Sequence, residues 1–219
     1  MVVRENFQLQ LEEMKQAIVQ ISKLTEEALE LSVEALKNQD LDKALQIIEN
    51  DNRINVLEDE INDMAILLIA KQAPVASDLR RIIAAIKISS EIERMADFAV
   101  NIAKSTIRIG KQELIKPLEE LPKMAHHAIA MLTTATKAYV EEDVALAKQL
   151  AELDDEVDET YGKIIKELLE LMTKNPEHLS QISQLLFVCR YIERTADHAT
   201  NIAESIIFLV KGKRYGLND

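Results

Sequence analysis

The segments EIERMADFAVNIAKS (91–105) and YIERTADHATNIAES (191–205) agree at ten of fifteen positions, in a chain of 219 residues. Both keep a Glu, an Arg, an Asp and an Asn in the same places: Glu93, Arg94, Asp97 and Asn101, then Glu193, Arg194, Asp197 and Asn201. The correspondence runs outward from there. Asp51 aligns with Asp154, Pro74 with Pro176 and Leu79 with Leu179. A repeat of roughly 100 residues means two copies of one structural unit.

What that unit is follows from periodicity. Apolar residues recur every three or four positions almost throughout, as in Phe7, Leu11, Met14, Ile18, Ile21 and in Ile47, Ile54, Ile61, Ala65, Leu68. No long stretch alternates with period two. The chain has four Gly, four Pro and no Trp, and it is rich in helix formers. Short breaks fall at NQD (38–40), QAP (72–74), GKQ (110–112), EED (141–143) and KNP (174–176). Asp40, Asp143 and Asn175 are predicted N-caps, with Pro176 at a first helical position. Six helices are expected, over 4–38, 41–72, 76–110, 116–141, 144–173 and 177–211. The expected fold is all-α, a tandem repeat of two elongated three-helix bundles, over residues 1–112 and 113–219.

Composition narrows the function. The net charge of -12 argues against direct binding to nucleic acid, which needs a basic face, and disfavours unaided capture of a free anion. Cations or basic partner surfaces suit such a chain. The longest apolar run, MAILLIA (64–70), is too short to span a membrane, and no secretory signal is visible at the N-terminus. Cys189, within LLFVCRY, reads as a buried small hydrophobe in a reducing compartment. A soluble cytoplasmic protein is expected.

On a helical wheel that takes Ile86 as origin, Leu79, Ile82 and Val100 mark one stripe, with Glu93 and Asp97 inside it and Asn101 on its edge. Glu193 and Asp197 continue the line of Leu179, Ile182 and Leu186 in the same way. The expectation is carboxylates at positions where the pattern calls for Leu. An antiparallel hairpin centred on Pro74 sets Asp51 opposite Asp97 and Asn55 opposite Glu93. One centred on Asn175–Pro176 sets Asp154 opposite Asp197 and Asp158 opposite Glu193. Anions gathered in this way must protonate, pair with Arg or bind cations. Arg94 and Arg194 point to the flank and are too few to neutralise the group. Oxygen-rich sets without Cys or paired His suit hard ions such as Mg²⁺, Mn²⁺, Ca²⁺ or iron. Ala96, Ala99, Ala103 and their counterparts Ala196, Ala199, Ala203 are small neighbours of these acids, which suits the approach of another helix or a hydrated ion and suits ordinary Ala-rich packing as well.

DNRIN (51–55), PVASDLRR (74–81), ERMADFAVNIA (93–103), DDEVD (154–158) and ERTADHATNIA (193–203), in that order, resemble the PhoU family of bacterial phosphate-signalling regulators over nearly the whole chain. The resemblance implies a negative regulator of phosphate uptake and phosphate-starvation signalling. It implies contact with the ATPase subunit of the phosphate transporter and with the sensor histidine kinase, and a homodimer. It also implies multinuclear metal clusters (iron, zinc, manganese or magnesium). That role transfers to Asp51, Glu93, Asp97, Asp154, Asp158, Glu193 and Asp197, with Asn55, Asn101 and Asn201 as lesser candidates. Asn55 departs from a carboxylate, and HLS (178–180) lacks both charges of Asp78 and Arg80.

Other classes fit less well. A di-iron oxidase needs Glu-x-x-His, which none of the four histidines offers. For a phosphotransfer module, His198 lies off the stripe, its counterpart is Phe98, and an ordinary partly exposed histidine is expected. His126, His127 and His178 read likewise. No Gly-rich phosphate loop or nucleophile–base pair suggests an enzyme. The main competitor is a helical adaptor that uses no metal.

Overall fold

The computed structural model describes the backbone of residues 2–72, 74–213 and 215–217, with side chains from Asn6 onward except that of Gln72. Among the described residues, six rods account for the helices. The first is α1 (Val2–Asn38); the second is interrupted at Asp51 into α2 (Leu41–Asn50) and α3 (Asn52–Gln72); the third is α4 (Ala76–Ile109). The second half repeats this with α5 (Glu120–Glu141), α6 (Val144–Lys174) and α7 (Leu179–Lys211), the last preceded by a 3₁₀ turn, Pro176–His178. Ala73, in the predicted QAP break, lies outside the described residues.

The two first loops are built alike. Gln39 and Glu142 both adopt left-handed backbone, φ 51° and 52°. The next residue then bonds back five positions, Asp40 N to Ala35 O and Asp143 N to Ala138 O, both at 2.9 Å. This closes each helix in a Schellman motif. Asp40 and Asp143 next serve as the predicted N-caps, accepting from Lys43 N at 3.0 Å and from Ala145 N at 2.8 Å. Asn175 does otherwise: its side-chain amide donates to Leu171 O at 3.0 Å and closes the end of α6. The fourth rod begins at Glu120 rather than 116. Pro117 disfavours helix at the residue before it, and Gln181 holds the linker through Ile115 N (2.8 Å) and Glu113 O (3.1 Å).

α4 and α7 form the centre. α4 packs on α1, α2, α3 and α7, while α7 packs on α4, α5 and α6. They run antiparallel, since Arg80 reaches Leu209, Glu91 reaches His198 and Phe98 reaches Tyr191. One apolar cluster carries residues from both halves, from Phe7 through Ile88, Ile92 and Ile102 to Val188, Ile202 and Leu209. Cys189 sits in it, fully buried, and burial pushes its thiol up to about 12, as an inert structural cysteine requires.

Two expectations about burial are corrected. Leu79 and Leu179 are 39% and 51% exposed, because they stand at the hairpin ends, in the first turns of α4 and α7. Asp97 is exposed and Glu93 half-buried, so in the first copy the acids border the solvent. A central helix is apolar around most of its circumference: Ile82, on the stripe of Ile86, is no more buried than Ile88, Ile92, Met95 and Ile102 on the other side.

Candidate functional site

Each hairpin carries its acids on one seam. In the first, the helix break puts Asp51 just ahead of α3, with Asn55 one turn on; the Asn55 amide donates to Asp51 Oδ2 at 3.3 Å. Burial and then the charge of Asp97 hold the Asp51 carboxyl above its ordinary range, against Asn55 and Lys104. Glu93 is likewise raised by burial, then by Asp97, Glu58 and Asp51, with Arg94 opposing. The charges of Asp51, Glu93 and Asp97 thus act on one another across the hairpin, where register set Asp51 opposite Asp97. Asn101 is half-buried further along α4.

The second seam is deeper. Asp154 and Glu193 are 6% and 8% exposed, Asp197 is half-buried and Asp158 is exposed. Burial, then Asp197, push Glu193 up to about 7, with Arg190 opposing and Asp158 and Asp154 adding. Asp158 is raised by burial, then by Asp197 and Asp155. Arg190 forms an ion pair with Glu193 Oε1 from one turn earlier on α7. The other oxygen, Oε2, is buried without a hydrogen-bond partner. Asn201 is exposed and turned to the other repeat, donating to Glu91 Oε2 at 3.1 Å.

Among the described residues, no three His, Cys, Asp or Glu side chains converge closely enough to hold one ion. The donor chemistry nevertheless fits a hard cation, all oxygen, with Glu193 Oε2 and Asn55 Oδ1 buried and unpartnered. Glu58 and Arg190 were missed in the sequence. Glu58 extends the Asp51–Asn55 spacing by a further turn, and Arg190 stands three before Glu193, so helical spacing held both signals.

His198 is 8% exposed, not an open histidine. Its Nδ1 bonds Glu91 of the other repeat. The same positions in the opposite copies, Phe98 and Tyr191, stack with centroids 6.0 Å apart and planes 16° apart. One quasi-two-fold pair is thus ionic and its mate aromatic. Phe98 also touches the His198 ring (5.4 Å) and lies under the Arg194 guanidinium (5.4 Å). For Glu91, burial acts to raise the carboxyl, but the hydrogen bonds from His198 and Asn201, with the charges of His198 and Arg94, bring it below its ordinary value.

The Asp78–Arg80–Arg81 segment couples the halves. Arg80 Nε donates to Leu209 O at 3.3 Å near the end of α7. Arg81 grips Glu142 with Nε (2.9 Å) and Nη2 (3.3 Å), and Nη1 bonds the buried Asp78 at 3.5 Å.

A family model described as the PhoU domain matches twice, over residues 18–106 and 121–206. The chain belongs to the PhoU family. Membership places it with regulatory, non-catalytic proteins. Across its whole length, and the whole of the relative, it is 36% identical to a phosphate-specific transport system accessory protein PhoU homolog of Clostridium acetobutylicum. It is 40% identical to the Zymomonas mobilis homolog over 90% of this chain and 83% of that one. PhoU from Pseudomonas aeruginosa superimposes with TM-score 0.90 at 31% identity, over 94% of this chain and 100% of that one. The regulatory protein PhoU from Streptococcus pneumoniae gives 0.89 at 30%, over 95% and 99%. No helix among the described residues is long and apolar enough to cross a membrane.

Proposed function

We propose that this PhoU-family protein is a negative regulator of phosphate uptake and phosphate-starvation signalling, acting in the cytoplasm as a helical adaptor without a resident metal. Its partners in this reading are the phosphate transporter's ATPase subunit and the sensor histidine kinase. The full-length likeness to proteins named as phosphate-specific transport accessory proteins supports the regulatory role. The observation that carries the metal-free form is internal compensation: Arg190 pairs with one oxygen of the most buried acid of α7, and Asn55 stands beside Asp51 where the second repeat has Asp158. The buried His198, committed to Glu91, argues against phosphoryl transfer.

A second reading keeps metal, and the unpartnered Glu193 Oε2 favours it. Asp154, Asp158, Glu193 and Asp197 would hold the ion in the second repeat, and Asp51, Asn55, Glu93 and Asp97 in the first. It would supply charge neutralisation and cross-linking of the hairpin. Affinity capture from cells grown with and without phosphate tests the adaptor role; recovery of neither transporter nor kinase refutes it. Elemental analysis of chain purified without chelator, beside Asp97→Asn and Asp197→Asn, decides the metal. Stoichiometric metal in the wild type that is lost in the variants would establish the second reading.

A further inference from the structure

The helix interruption at Asp51 opens a cavity of about 200 Å³ between α1, α2, α3 and α4. Leu31, Ile47 and Val100 contribute to its apolar wall, while Glu27, Asp51 and Arg53 stand among its polar lining. In the second repeat the counterpart of Asp51, Asp154, is buried within an uninterrupted α6. A cavity of this size is below the usual range for cofactors and drug-sized ligands but suits one long side chain. Its chemistry specifies which one. An aliphatic stem satisfies the wall and a cationic head satisfies the carboxylate end, the division found in arginine and lysine.

We propose that this cavity is a docking pocket for a single arginine or lysine anchor in a basic segment of a partner protein. The proposal rests on the adaptor reading and names the chemistry of the partner it would hold. Charge complementarity supports it. Two carboxylates, Asp51 and the exposed Glu27, line the cavity against the single guanidinium of Arg53. An incoming cation balances the carboxylate that Arg53 leaves uncompensated, and Arg53 selects against a further positive charge close by. Anchors of this kind, one side chain seated in a partly desolvated pocket, dominate the energetics of small interfaces.

The test uses the full chain with methyl-labelled Ile, Leu and Val, titrated with N-acetyl-arginine amide, N-acetyl-norleucine amide and magnesium chloride. The arginine derivative is expected to shift the Leu31, Ile47 and Val100 methyls saturably. The norleucine derivative, with the stem but no charge, should bind about fivefold more weakly, as should arginine to Asp51→Asn or to the exposed-site variant Glu27→Gln. Equal binding of norleucine would mean a purely apolar anchor and overturn the proposal. So would wall methyls that stay still with arginine, or magnesium reproducing the arginine shifts. Unshifted methyls elsewhere in Asp51→Asn and Glu27→Gln control for folding. If wild type and Glu27→Gln capture transporter or kinase equally from cells, the pocket fails while the adaptor reading survives; if neither is captured by wild type, the adaptor reading fails.

Discussion

Replacing His198 by Phe removes one half of an asymmetric contact between the repeats. Glu91 loses its closest partner and keeps Asn201, on a side chain only 26% exposed. A hydrogen bond to a charged group is worth about 1.5–3 kcal/mol; partial exposure and the remaining amide place the loss near 1.5 kcal/mol. The companion Glu91→Tyr, His198→Phe reproduces on this side the Phe98–Tyr191 stack, and an aromatic pair returns about 0.5–1.5 kcal/mol beyond its burial. The double variant should therefore unfold close to wild type, with a coupling energy of about 1–2 kcal/mol in the cycle. Urea unfolding followed at 222 nm, with the slopes compared, measures it. The sign of the pH dependence is fixed by the depressed Glu91 carboxyl. Its stabilising share is present above the unfolded value of 4.5 and is lost as pH falls through the folded one. The cost of His198→Phe should accordingly shrink as pH falls below 4.5. A single-variant loss under about 0.5 kcal/mol, or a double variant no better than the single, would refute the reasoning.

Three further outcomes follow from other contacts. Glu193→Gln, measured with chelator, should gain stability at pH 8 and none below pH 4.5: a carboxyl raised from 4.5 to about 7 destabilises the fold increasingly as pH climbs between those values. After discounting for solvent screening the gain is roughly 1 kcal/mol, and a constant offset across pH would contradict it. Arg81→Ala should lose about 1–3 kcal/mol in thermal or urea unfolding, because it strands both Glu142 and the buried Asp78; Arg81→Lys should recover only part, lacking the two-pronged grip. Gly212→Ala should cost about 1 kcal/mol in the same assay. Gly212 ends α7 at φ 70° with a hydrogen bond to Phe208 O, and an added Cβ would lie an ordinary 3.5 Å from Arg80, so the penalty is conformational rather than steric.

Much of this architecture was legible because helix signals are local. Asp40 and Asp143 cap as their positions suggest, and Pro74 and Pro176 mark the hairpin ends. Hairpin register alone set Asp51 opposite Asp97 and Asp158 opposite Glu193, and the charges of each pair act on one another. What escaped depends on neighbours remote in the chain. The depth of Glu193 against the exposure of Asp97 is decided by packing around two central helices, which one helix's periodicity does not contain. The partnership of Glu91 with His198 lies between repeats, where Phe98 at the equivalent site made the histidine look incidental. The interruption at Asp51 has no Gly or Pro to announce it.

The apolar cluster shared by α4 and α7 has a consequence for the length of the chain. Severed in the stretch between Gly110 and Glu119, either portion would bare a greasy flank more than thirty residues long, and neither would stay dispersed by itself. Mixed, the pieces should reassemble as complementing fragments. Alone, each should pair with its own twin through the flank it normally offers its sibling.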